Sequence, residues 1–111
     1  MKKLQNDNTT LEQSKRLLEL GVPADSANYY YGKDGKIHYI DGIIPRSLLW
    51  ADGLVPCWSV GRLIEIYMIC TLITPNVYTC INDKLSIIDN IIIDYENMYS
   101  HGKLDFSKLE D

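Results

Sequence analysis

Apolar residues recur at helical spacing in three stretches of this 111-residue chain, and the segments between them either alternate or are broken by turn residues. In the first, Thr9 and Thr10 each find a Glu or Gln three residues on, a capping-box pattern. The stretch closes at Leu17-Leu18-Glu19-Leu20-Gly21-Val22-Pro23. Glycine at the left-handed closing position, a Leu17–Val22 contact and proline just beyond predict a helix ending at Leu20 in a Schellman cap. The run from Tyr29 to Ile40 places Asp34-Gly35 between two aromatic and β-branched arms and predicts a β-hairpin. A two-residue loop would set Tyr31 opposite His38, Tyr30 opposite Tyr39 and Tyr29 opposite Ile40; a three-residue loop would slip the register by one. Gly42 to Leu54, with Pro45 and a second Asp-Gly, reads as mostly irregular with room for one short turn of helix.

The second helical stretch is apolar on more than one side. Ser59 is placed to cap it, and Trp58 precedes the cap so as to staple onto Leu63. On a helical wheel Val60, Leu63, Ile64, Tyr67, Cys70 and Thr71 share one face, whereas Ile66, Ile69 and Ile73 spread apolar surface around the other. Gly61, Arg62 and Glu65 alone break the ring. Such a helix crosses the middle of a domain or meets another chain, so the Ile66, Ile69, Ile73 face calls for a cover from the tail, a loop or a second subunit.

Pro75-Asn76 ends this helix, and alternation in Val77-Tyr78-Thr79-Cys80-Ile81 predicts a third strand. Leu85, Ile88, Ile92, Tyr95 and Tyr99 then sit at i, i+3, i+7, i+10 and i+14, a third helix stopped by Gly102. The expected fold is therefore α+β, about three helices packed on a small antiparallel sheet made of the hairpin and one further strand. Residues 1–111 read as a single domain, with 1–8 a frayed N-terminus and 103–111 a C-terminal tail whose Leu104, Phe106 and Leu109 dock on the body.

Composition narrows the function classes. A net charge of -4 and scattered basic residues argue against binding to nucleic-acid phosphates. Gln5-Asn6-Asp7-Asn8 stands where a secretory signal would be apolar. The longest apolar window, Leu63 to Ile73, contains Glu65 and is too short to span a bilayer, so no membrane segment is expected. Cys57, Cys70 and Cys80 are odd in number and match neither a disulfide framework nor a zinc spacing, which points to a reducing cytoplasm.

Candidate chemistry is thin. His38 and His101 lack any metal-ligand spacing; His38 reads as a strand residue and His101 as a helix C-terminal group beside the negative dipole end. No metal and no cofactor is expected. Cys57 precedes a helix start, where a thiolate would gain from backbone amides. Arg62 and Glu65, three apart, are set to pair. Four of the eight tyrosines, Tyr29, Tyr30, Tyr31 and Tyr39, crowd the hairpin. Rigid amphipathic rings there suit recognition, although a hairpin buries one side and half of them would then pack inward.

Leu11-Glu12-Gln13-Ser14-Lys15-Arg16-Leu17-Leu18-Glu19-Leu20-Gly21-Val22-Pro23, with the later Pro56-x-Trp58-Ser59-x-Gly61-x-Leu63, resembles small uncharacterised proteins from the genomes of gut bacteria, their phages and mobile elements. The resemblance covers about a third of the chain and implies a context, an accessory protein encoded near mobile DNA, and no functional residue. Together these readings predict a non-enzymatic cytoplasmic interaction module that binds a protein partner or itself through Tyr29, Tyr30, Tyr31 and Tyr39 or through Ile66, Ile69 and Ile73. The alternative is a small hydrolase or transferase using Cys57 or His38.

Overall fold

The computed structural model describes residues 8–71 and 86–109. Over these the chain is α+β: α1 (Leu11–Leu20), β1 (Tyr29–Tyr31), β2 (Ile37–Tyr39), α2 (Arg46–Ala51), β3 (Val55–Cys57), α3 (Val60–Thr71) and α4 (Ile87–Ser100), with single 3-10 turns at Ala24–Ser26 and Phe106–Leu109. The strands form one antiparallel sheet in the order β2-β1-β3.

Helix ends follow the local signals closely. Thr10 is the N-cap of α1, its hydroxyl accepting from the Gln13 amide while the Gln13 side chain accepts from the Thr10 amide. Gly21, with φ of 112°, closes the helix; its amide donates to Leu18 and that of Val22 to Leu17, the two bonds of a Schellman cap. The same pair of bonds recurs at Gly102, where Lys103 reaches back to Met98. Ser59 caps α3 by accepting from the Arg62 amide, and Ser86 caps α4 by accepting from that of Asp89. His101 lies past the end of α4 with Nδ1 2.7 Å from the Asn97 carbonyl, as a C-terminal group should.

The sheet is a hairpin plus one further strand, and that strand comes from a stretch not read as one. Val77–Ile81 lies outside the described residues, and the strand beside β1 is β3, from a stretch read as loop and helix lead-in. Pro56 conceals it, since proline argues against a strand unless its missing amide faces away from the ladder. That condition holds here. Gly32 pairs with Lys36 and Asn28 with Ile40 through backbone bonds, so in β1 the groups of Tyr30 turn toward β2 and those of Tyr29 and Tyr31 toward β3. Tyr30 is the residue opposite Pro56, and the pair therefore sits where no ladder bond is made. Within Gly42–Leu54 the short helix is α2, which occupies the middle of the segment with Leu49 buried.

A second correction concerns α3. Ile66 is fully buried alongside Leu63, Tyr67 and Cys70, so it does not share an open face with Ile69, which is 38% exposed; Ile73 lies outside the described residues. The cover comes from within the chain. Helix α4 packs on α3, and so does the closing 3-10 turn. From α4, Ile88, Ile91, Ile92 and Tyr95 are all fully buried, and the Tyr95 hydroxyl donates to the Leu63 carbonyl of α3. The tail docks as expected through Leu104 and Phe106, whose ring lies 6.4 Å from that of Tyr95.

Thr9 joins these layers. It is fully buried, and each of its polar groups has a partner. Its amide donates to the Trp58 carbonyl at 2.8 Å, its hydroxyl accepts from the Trp58 amide at 3.0 Å and meets the Ser14 hydroxyl at 2.7 Å, and its carbonyl accepts from the Tyr31 hydroxyl at 2.7 Å. One residue thus ties the start of α1 to β1 and to the junction of β3 and α3. Asn28 makes a parallel clamp, giving its amide hydrogen to the Ser59 hydroxyl and accepting from the Ser59 amide. Trp58, fully buried, completes the junction by donating from its indole to the Ser26 hydroxyl.

Thr9→Val keeps the shape and removes the hydroxyl, stranding the Trp58 amide. Chemical denaturation should show a loss of about 2 kcal/mol, against about 1 kcal/mol for Thr10→Ala, which removes only a cap. Burial pushes the Tyr95 phenol far above its ordinary value of 10.0. A raised folded-state pKa means that the contribution is complete below pH 10 and is lost as pH rises beyond it. Tyr95→Phe should therefore flatten the decline in stability above pH 10, measured by urea titrations across that range.

Candidate interaction surface

The hairpin turns through Lys33-Asp34-Gly35, a three-residue loop, with Gly35 at φ of 78° and its amide donating to the Gly32 carbonyl. Such a loop ends on a left-handed residue, which glycine adopts without strain. The register is accordingly the slipped one: Tyr29 opposite Tyr39, Tyr30 opposite His38 and Tyr31 opposite Ile37. The Asp34 carboxylate accepts from the Lys36 amide and sits 3.2 Å from His38 Nε2. Those bonds, the amide first, hold Asp34 below the usual carboxylate range. Gly32 makes room for this arrangement, because a Cβ there would fall 2.9 Å from both the His38 ring and Asp34 Oδ1.

This register sorts the four tyrosines. Tyr31 is half-buried and spends its hydroxyl on Thr9. Tyr30, half-buried, stacks on His38 with centroids 5.3 Å apart, and Tyr29, also half-buried, meets Tyr39 edge-on at 5.7 Å. Tyr39 alone stands open, at 66% exposure. It does so near residues that the sequence pattern did not single out, Ile43 at 81% exposure and Ile44, and Leu48 on α2 is exposed as well. Tyr39, Ile43 and Ile44 line a surface pocket of about 110 Å³ together with Tyr30, Ile40 and Leu49, and Asp41 is its one charged lining residue. The signal in the sequence was the doublet Ile43-Ile44 between Gly42 and Pro45. Apolar residues inside a turn segment have no periodic partner that would turn them toward the core.

The alternative chemical centre fares differently. The Cys57 thiol is fully enclosed, donates to the Thr9 carbonyl at 3.4 Å and accepts from the Thr9 hydroxyl at 3.6 Å. Burial pushes its pKa up, so the protonated, weakly nucleophilic form is held. No histidine approaches it: His38 is engaged by Asp34 and Tyr30, and His101 by Asn97. Cys70 is likewise buried with a raised pKa, chiefly from burial, and Cys80 lies outside the described residues. A second pocket, about 180 Å³, is lined by Pro23, Asp25, Ser26, Arg62 and Leu109. Its charged groups are already engaged. Arg62 donates to the Ser26 carbonyl and to Glu65, and Asp25 accepts from the Trp50 indole.

Among the described residues no three His, Cys, Asp or Glu side chains gather so as to hold a metal ion, and no helix is long and apolar enough to cross a membrane. Comparison with protein-family models, curated proteins and solved structures finds no match.

The enclosure of Cys57 sets a measurable expectation. Iodoacetamide at pH 8 should leave Cys57 unmodified in the native protein and alkylate it fully in urea, as read by peptide mass spectrometry; native-state labelling at the rate of a free thiol would contradict the geometry.

Proposed function

We propose that this protein is a non-enzymatic interaction module, an accessory protein of phage or mobile-element origin working in the cytoplasm, and that it engages other protein surface beside the end of β2 away from the hairpin loop. The observation that carries this reading is the exposed group of Tyr39, Ile43 and Ile44 on the lining of one small pocket, with Leu48 exposed on the helix that supplies its Leu49 wall. Exposed large apolar groups gathered in one patch are what an interaction site requires and what a monomer surface otherwise avoids. The pocket volume suits a single inserted side chain, since an apolar cavity of roughly 150 Å³ holds a benzene ring. An exposed aromatic at its edge is the residue type that anchors protein contacts.

Folding and surface roles fall on different residues in this segment. Leu49 on α2 is buried while its neighbour Leu48 points outward, so truncating Leu48 leaves the core intact. Ile43 is held in its turn by its own backbone, the amide donating to Asp41 Oδ1, and that bond survives any change of side chain. Both can therefore be altered without disturbing the fold.

Affinity capture from the native host should distinguish the surface from incidental stickiness. Proteins retained by the wild-type chain are expected to fall at least about tenfold in recovery with Ile43→Asp and Leu48→Asp together, a loss of about 1.4 kcal/mol or more, with unchanged melting temperature. Identical capture by both chains would remove this surface from the proposal.

A further inference from the structure

We infer that the outer edge of β2 is a pairing edge for a second copy of this chain, joined antiparallel about a two-fold axis at His38. The inference rests on the interaction-module reading and specifies its partner. Among the described residues the sheet ends at β2, with no strand beyond it. The inward bonds at Lys36 and Ile40 leave, by the alternation of an antiparallel ladder, the backbone groups of Ile37 and Tyr39 directed outward. Both residues are exposed. An edge that offers alternating amides and carbonyls is complementary to one class of occupant, another extended strand.

Charge selects a second copy. At its loop end β2 is flanked by Lys33 and Lys36 with the single carboxylate Asp34, two positive charges against one negative; at its other end stands the carboxylate of Asp41. A strand with unlike charges at its two ends is self-complementary when it meets itself antiparallel. Pairing Ile37 with Tyr39 of the copy satisfies the outward groups of both chains and puts Lys36 opposite Ile40 of the copy, one residue from its Asp41. It also sets Tyr39, on the rim of the pocket, against the copy's Ile37, an aromatic and β-branched cross-strand pair. The contact is isologous, so it closes at two chains with a continuous six-stranded sheet. A single short strand on each side makes a small interface and hence a weak dimer.

Two measurements on the full chain test this. In sedimentation equilibrium the average mass should rise above 12.7 kDa as concentration increases toward about 1 mM, the range of weak contacts. Ile37→Lys, on an exposed position, should raise the dissociation constant about tenfold or more with unchanged circular dichroism. For register, His38→Cys places two thiols at a non-hydrogen-bonded pair about 4.5 Å apart between Cα atoms, within the span of a disulfide of about 4.4–6.8 Å. It should oxidise to a covalent dimer beyond any formed by the unsubstituted chain. Lys36→Cys, four residues from its own copy or about 13 Å at 3.3 Å per residue, should not. A constant mass of 12.7 kDa up to that concentration, or Lys36→Cys cross-linking as readily as His38→Cys, overturns the inference. If the mass stays constant while capture still depends on Ile43 and Leu48, the interaction module stands and only the second copy falls.

Discussion

The structure depends on the burial of one threonine. Thr9 offers an amide, a hydroxyl and a carbonyl to an enclosed region, and the junction of β3 and α3 answers all three while β1 adds the Tyr31 hydroxyl. An unpaired polar group there would cost more than a made bond contributes, so the segment before α1 has one placement that satisfies it. Once it is seated, α1 is directed across the sheet, its Ser14 turned inward to the Thr9 hydroxyl and its Leu17 into the core.

Enclosure of this network also decides what Cys57 is. The thiol sits at a strand end just before a helix, a position with reactive potential, but Thr9 and Tyr31 close over it and water is excluded. Raised by burial, its pKa keeps it a small packing group. His38 is diverted in a similar way. The slipped register sets it against Tyr30 and within reach of Asp34, so the imidazole serves the turn. The thiol and the imidazole are both engaged in holding the hairpin and the junction together.

What the fold leaves open lies at the other edge of the sheet, beside the end of β2 away from the hairpin loop. The core is complete without Tyr39, Ile43, Ile44 and Leu48, because α4 and the docked tail fill the space around α3. Removing those four from water would require surface that the described residues do not supply. The apolar excess first suggested by α3 thus belongs to the segment that follows β2, and the same physical argument, that large apolar groups gathered at a surface need a cover, moves with it.

Local chemistry was readable from the sequence wherever bonds run between near neighbours. The caps at Thr10, Ser59 and Gly21 join residues a few positions apart, as do the Asp34-Gly35 turn and the Arg62–Glu65 pair at 2.7 Å, and the α+β class followed from their order. Tertiary structure decided the rest, because each remaining outcome joins distant positions. Pro56 becomes strand only when β1 lies on the side its missing amide does not face, Thr9 differs from Thr10 only once Trp58 is beside it, and Ile66 is interior once α4 and the closing 3-10 turn pack on α3. Tyr39, last, is exposed where Tyr31 is held inward because a three-residue loop fixed the register and Thr9 received the Tyr31 hydroxyl. Periodicity specifies that a side chain has a face, and only packing specifies what that face meets.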